Sequence, residues 1–314
     1  MPILRFIPDT TNINFVGARF VVFAIDGLLL IVAIAAIWIQ GFNLGVDFKG
    51  GVKMEVKSER TIDIGELRDK IHSLPYKDPQ VTAFGGTAAC DRPASSCALI
   101  KFLPEADVSG ESVQQQIKQA LGPGYTIRDF ANVGPKVSAE LFRNGIIATV
   151  LAIFLIGVYV AFRFEWQYGI SAAVSTGHDV LVAAGLYALL QWDFTLTSVA
   201  ALLTLAGYSI NDTVVVFDRI RENRRKYKRM SLPDLINLST NQMVTRTILT
   251  SCTTALSMVP LLFFGGETLF SFSAAIIFGI VVGTFSSIYV AACLLLYLPH
   301  PAGAIEDKTA DATP

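Results

Sequence analysis

The chain has 314 residues, is 52% hydrophobic and 16% charged, and has a mean hydropathy of +0.51. Soluble domains carry about 25% charged residues, so this composition excludes an ordinary soluble protein and points to a membrane protein. Net charge is −1, and no nucleic-acid partner is expected.

A membrane-spanning helix needs about 20 mostly apolar residues. Residues 17–40, 145–163, 169–191, 195–217, 244–264 and 270–298 meet that requirement, giving six predicted spans. The first is too long for the apolar core of a signal peptide and lacks a small-residue cleavage site, so it is expected to stay as an anchor after the 1–16 segment. Trp38, Trp166 and Trp192 fall at span ends, where aromatic belts sit.

The sequence Arg219 to Arg229, RIRENRRKYKR, is the densest basic run. Lys and Arg in excess in short loops mark the cytoplasmic side. The 218–243 segment is therefore expected as a basic cytoplasmic loop. Counting back puts the N-terminus inside, 41–144 outside as one large domain, and the FRFEWQY connection and the 299–314 tail inside. The tail is small and polar, the composition of a disordered end.

Within 41–144 the pattern changes. Val52 to Val56 alternates apolar and polar residues, as a half-buried strand does. Asp63 to Leu74 reads as a helix with an Asp cap and a Pro75 stop. Gln80 to Phe84 and Cys97 to Leu103 read as strands, Ser109 to Leu121 as a helix, and Tyr125 to Phe130 as a last strand. The order β-α-β-β-α-β is that of a ferredoxin-like split fold. Cys90 and Cys97 flank DRPASS in this domain. Outside a bacterial inner membrane their spacing permits a disulfide. Cys252 and Cys293 lie in apolar spans and read as packing residues. No His accompanies the Cys90–Cys97 pair, so no metal site is expected.

Four ionisable residues fall at or near membrane depth in the last five spans: His178, Asp179, Asp212 and Arg246. Asp212 is the only formal charge between Leu196 and Phe217. A charge at the bilayer centre costs roughly 2.5–3.5 kcal/mol on insertion scales, so such a carboxylate is expected to carry protons, bind an ion or pair with a cation. Asp212 lies 18 residues from Phe194 and Arg246 lies 18 residues from Phe264. Both therefore sit about 27 Å from the outer boundary at 1.5 Å per residue, and matched depth predicts an Asp212–Arg246 pair. His178 and Asp179 lie nearer the middle and would extend a path outward. Ser209 and Tyr208 share the Asp212 face, and Ser171 and Ser175 share that of His178 and Asp179. The competing reading is a static salt bridge. Asp26, about two turns inside the first span, is expected to face a partner helix or to be tolerated near the interface. Gly279 and Gly283 permit close helix contact in the sixth span. No Walker A, HExxH or GxSxG sequence is present. The chain is therefore read as no enzyme and as needing no cofactor, with any transport driven by an ion gradient or a partner.

Several segments resemble the SecF family of bacterial protein-export subunits. These are FNLGVDFKGG at 42–51, VGPKVSAEL at 133–141 (Ser138 replacing the usual second Gly), STGHDV at 175–180, AGYSINDTVVVFDRIREN at 206–223 and TRTILTS at 245–251. The resemblance covers about residues 1–300. It implies a polytopic α-helical protein of the bacterial inner membrane, a six-helix half-unit of the RND superfamily with one periplasmic ferredoxin-like α/β domain between helices 1 and 2. It further implies use of the proton-motive force in export. The implied partners are SecD, the SecYEG channel, an unfolded chain in transit and an accessory protein of the YajC type. Asp212 and Arg246 match positions the family implicates in proton conduction, with His178 and Asp179 in support, while Asp26 matches no assigned role. A non-conducting scaffold and an RND-type exporter of small molecules or lipids remain as alternatives.

Overall fold

The computed structural model describes residues 11–74, 76–84, 96–103 and 110–299. Among the described residues, six helices are long and apolar enough to cross a membrane. They are α1 (Arg19–Ile39), α5 (Pro135–Arg163), α6 (Trp166–Leu190), α7 (Leu196–Lys226), α8 (Leu232–Phe264), and a sixth built from α9 (Gly266–Ser286), a π turn (Ser287–Ala291) and short turns to Tyr297. Between α1 and α5 lie α2 (Val46–Lys49), β1 (Gly51–Ser58), α3 (Ile64–His72), β2 (Lys77–Phe84), β3 (Cys97–Leu103), α4 (Gly110–Leu121) and β4 (Tyr125–Val133).

The four strands form one antiparallel sheet in the order β2-β3-β1-β4. That is the split β-α-β order, with each crossover helix skipping over one strand. Val52, Met54 and Val56 of β1 and Ala98, Ile100 and Phe102 of β3 face Leu67 and Ile71 of α3 and Val113 and Ile117 of α4. Period-2 burial on the strands meets period-3.6 burial on the helices, which closes a small core. The Asp63 carboxylate starts α3 by accepting from the amides of Gly65 and Glu66, an N-cap worth about 1 kcal/mol. Cys97 is disulfide-bonded, while Cys90, the other half of the expected bridge, lies outside the described residues, as does the tail beyond 299. Cys252 and Cys293 are free thiols.

Chain entry to β1 needs Gly50 and Gly51, at φ +80° and +125°. A Cβ at Gly51 would also stand 2.8 Å from the Phe102 carbonyl oxygen, so this corner has room for glycine only. The exit is simpler. Pro135 opens α5 behind Gly134, and Ser138 is buried with its hydroxyl donating to the Gly134 carbonyl at 3.1 Å. Serine therefore fits where a glycine was expected.

The 218–243 segment corrects the expected loop. It is helical on both sides of a five-residue turn, 227–231, because α7 runs on to Lys226 and α8 already starts at Leu232. Ser231 caps α8 with Pro233 in its first turn. Across the turn the Asn223 amide donates to Ser239 and Gln242, and Ile220, Leu235 and Ile236 close an apolar core. These contacts hold the charged segment in two helices. Likewise, α5 starts ten residues before the expected 145.

Helix α6 is the bundle's axis, buried along most of its length. Its apolar packing falls into two clusters. One, at the basic end, joins Tyr168 and Ala172 to Val216 and Phe217. The other, at the sheet-domain end, joins Val180 and Ala183 to Leu205 and Ala206. Residues 175–179 of α6 and 209–213 of α7 lie between the two.

Candidate functional site

The gap between the two apolar clusters is polar. Ser175 hydrogen-bonds Ser286 at 2.8 Å, and Ser171 donates to the Ala291 carbonyl at 2.6 Å. That carbonyl belongs to the π turn, whose altered ladder leaves a backbone acceptor for a neighbouring helix. Further along α6, His178 Nδ1 lies 3.0 Å from Asp179 Oδ1, and Ser209 donates to Asp179 Oδ2 at 2.5 Å. Gly283 makes this possible, because a Cβ there would stand 3.3 Å from Asp179 Oδ2 and 3.4 Å from the Ser209 Cβ. Gly279, one turn earlier, seats Leu205. The two glycines thus serve packing of the sixth span onto α7 and the polar layer.

Asp212 follows Ser209 by three residues on the buried face of α7 and is 3% exposed. It lies 16 residues from the start of α7, about 24 Å along the helix axis. Its carboxylate meets only hydroxyls, with Ser251 at 3.4 Å and Thr250 at 3.5 Å. Ser251 in turn joins Thr284 at 2.6 Å and receives the Tyr208 hydroxyl at 3.0 Å.

The predicted Asp212–Arg246 ion pair is not formed. Arg246 precedes Thr250 by one turn, is exposed, and stays within electrostatic reach of Asp212 without coming to ion-pair distance. Asp212 is level with Thr250 and Ser251, one turn beyond Arg246, and Arg246 also points off the buried stripe. The buried stripe of α8 runs through Val244, Thr247 and Ser251, and Arg246 lies 100° around the helix from Thr247. The site therefore comprises a His178–Asp179–Ser209 group and an Asp212–Ser251–Thr284 group, one helical turn apart on α7.

Asp26 faces a partner helix, α6, the first of its two expected settings. It is 4% exposed, both carboxylate oxygens lack partners among the described residues, and its backbone carbonyl lies 3.5 Å from His178 Nε2. Ser251, Thr284 and Ser286 join the site without any motif marking them. Hydroxyls in otherwise apolar spans were the available signal.

The sheet-domain end is joined to the bundle directly above α7. Phe194 and residues Asn43 to Gly45 exchange backbone hydrogen bonds at 2.7 and 2.9 Å, and Phe42 stacks on Phe194. The Asp47 carboxylate accepts from the Leu196 amide at 2.9 Å, an anion at a helix N-terminus. Lys101 of β3 pairs with Asp193, which also accepts from Asn43. These contacts tie the start of α7 and the α6–α7 loop to the sheet domain. Among the described residues no cluster could hold a metal ion.

Residues 113–300 match the family described as "Protein export membrane protein SecD/SecF, C-terminal", and residues 35–62 match the "SecD/SecF GG Motif", which includes Gly50 and Gly51. The chain is 41% identical to the protein translocase subunit SecF of Cereibacter sphaeroides over 94% of its own length and 92% of that relative. It is 36% identical to the protein translocase subunit SecDF of Brucella abortus, covering 93% of this chain and 38% of that one. The crystal structure of SecDF from Thermus thermophilus, titled a translocon-associated membrane protein, superposes with a TM-score of 0.79 at 35% identity, covering 93% of this chain and 39% of that one. The chain thus spans about two fifths of each SecDF protein and nearly all of the SecF relative. It is a membrane protein of the SecD/SecF protein-export family, on the SecF side of it.

Proposed function

We propose that this chain is the SecF half of a two-part export motor, paired with a SecD-like subunit, in which protons crossing at Asp212 drive movement of the sheet domain. The observation that carries the reading is Asp212 itself, a buried carboxylate lined by hydroxyls and with no cation at ion-pair distance among the described residues. A permanent salt bridge would have given it one. Each proton entering through the membrane potential supplies about 2.3 kcal/mol per 100 mV, so no cofactor is required.

The outer face of α8 supports a partner half. Arg246, Thr253 and Ser257 are all exposed on it, at spacings of seven and four residues that align them in one stripe. Polar side chains and an arginine at membrane depth face other helices or water rather than lipid. The fused SecDF relatives suggest what those helices are. Arg246 then stands at the seam between halves, within reach of Asp212 when the seam shifts, with His178 and Asp179 extending the route toward the sheet domain.

The basic end of α7, with Arg224, Arg225 and Lys226 in its last turn, favours a cytoplasmic position. Both termini then lie in the cytoplasm and the sheet domain in the periplasm of a bacterial inner membrane. There the sheet domain would meet unfolded chains leaving the SecYEG channel, with a YajC-type accessory protein alongside. The deciding experiment is export of a secreted reporter by cells carrying Asp212→Asn. Export should fail while the complex with the SecD-like subunit still assembles. Normal export by an assembled Asp212→Asn complex would make the chain a scaffold.

A further inference from the structure

We propose that Asp26 is a third proton-carrying carboxyl in this chain, exchanging a proton with His178. The inference rests on the proton-conducting reading above and deepens it. Helices α1 and α6 pack tightly at Ala33 and Gly185, where a Cβ on Gly185 would overlap Ala33. Seven residues earlier on each helix stand Asp26 and His178, two turns away on the same faces. The glycine contact therefore sets the register that brings residue 26 to the imidazole.

The imidazole lies between two acceptors. Its Nδ1 faces the Asp179 carboxylate at 3.0 Å, and its Nε2 faces the backbone carbonyl of Asp26 at 3.5 Å. Two acceptors suit an imidazolium that donates from both nitrogens. Asp179 has its second oxygen filled by Ser209, whereas both oxygens of Asp26 are buried and unpartnered among the described residues. A buried polar group without partners is costly, and the group that can relieve it is a proton arriving from His178. His178 and Asp179 are the titratable groups within electrostatic reach of Asp26, and both lie on α6. The π turn, which also packs on α1, brings none there among the described residues. In the step, the Asp26 side chain turns to Nε2 in place of its own backbone carbonyl; the N–H bond at His178 Nε2 then breaks and an O–H bond forms on the Asp26 carboxylate. The imidazolium becomes a neutral imidazole still donating from Nδ1 to Asp179.

The test is proton flux into vesicles carrying the chain co-reconstituted with its SecD-like subunit, measured from pH 5 to 9 for wild type, Asp26→Asn, Asp26→Glu and Asp212→Asn. Asp26→Asn should lower flux at least tenfold in an assembled complex, and Asp26→Glu should restore most of it with a displaced pH profile. Wild-type flux in Asp26→Asn alongside loss in Asp212→Asn overturns this proposal and leaves the broader reading standing. Wild-type flux in Asp212→Asn overturns the broader reading. Should Asp26→Asn not assemble, infrared difference spectra of wild type and Asp26→Glu after a pH step decide. A carboxyl band that appears with the step and moves in Asp26→Glu supports the proposal, and its absence overturns it.

Discussion

Gly185 of α6 presses against Ala33 of α1 so closely that no side chain fits between them, and this contact registers the first span against the polar layer. Gly185→Leu should therefore separate Asp26 from His178 as well as overpack the seam. Overpacking typically costs about 1–3 kcal/mol. The melting temperature in detergent should fall for Gly185→Leu, and should hold for Gly177→Ala, where a Cβ meets its nearest neighbour, Ile153, at 4.0 Å. Equal melting of both variants would contradict the close seam.

The Lys101–Asp193 pair ties β3 to the α6–α7 loop. Its side chains are 21% and 34% exposed, so solvent screening leaves it on the order of 1 kcal/mol or less. Its loss should change mobility more than stability. In Lys101→Ala, amide exchange should quicken at 43–48 and 193–196, and the charge swap Lys101→Asp with Asp193→Lys should slow it again. Unchanged exchange in Lys101→Ala would mean that the backbone bonds between Phe194 and Asn43 to Gly45 carry the junction alone.

Much of this architecture was legible in the sequence, because span length and strand alternation are local properties. The six apolar runs and the β-α-β-β-α-β order follow from counting. Rotation about a helix axis does not. Depth counting put Asp212 and Arg246 level, yet only packing decides that α8 turns Ser251 toward Asp212 and Arg246 outward. Helix α1 is apolar nearly all round, with Asp26 alone marking a face, and the register against α6 is settled by a glycine on the other helix. The charge of the 218–243 segment suggests a loop beyond the membrane edge, while the contacts that keep it helical, Asn223 with Ser239 and Ile220 with Leu235 and Ile236, join residues far apart in sequence.

The sheet domain should stand on its helix–strand core. Ile117 of α4 is fully buried against β1 and β3. Ile117→Ala should destabilise the domain by about 2–5 kcal/mol, read as early loss of the domain's protease resistance on warming, with the bundle still folded. A domain that resists protease as well as wild type would place the core elsewhere.

Cys252 flanks the proposed partner face, about 100° around α8 from Thr253. It is exposed on α8 beside Thr253, whereas Cys293 is buried. A membrane-permeant maleimide should label Cys252 and spare Cys293 in the detergent-solubilised chain. Labelling of Cys252 should slow at least severalfold in complex with a SecD-like subunit. Equal labelling rates with and without that subunit would place the partner on another face.

The most direct measurement is proton conductance of the chain co-reconstituted with its SecD-like subunit, as a function of pH and membrane potential, for wild type and Asp212→Asn. A relay through Asp212 predicts conductance that rises with potential in wild type and falls to the protein-free background in Asp212→Asn. Equal conductance in the two, in complexes of equal composition, would contradict proton passage at Asp212.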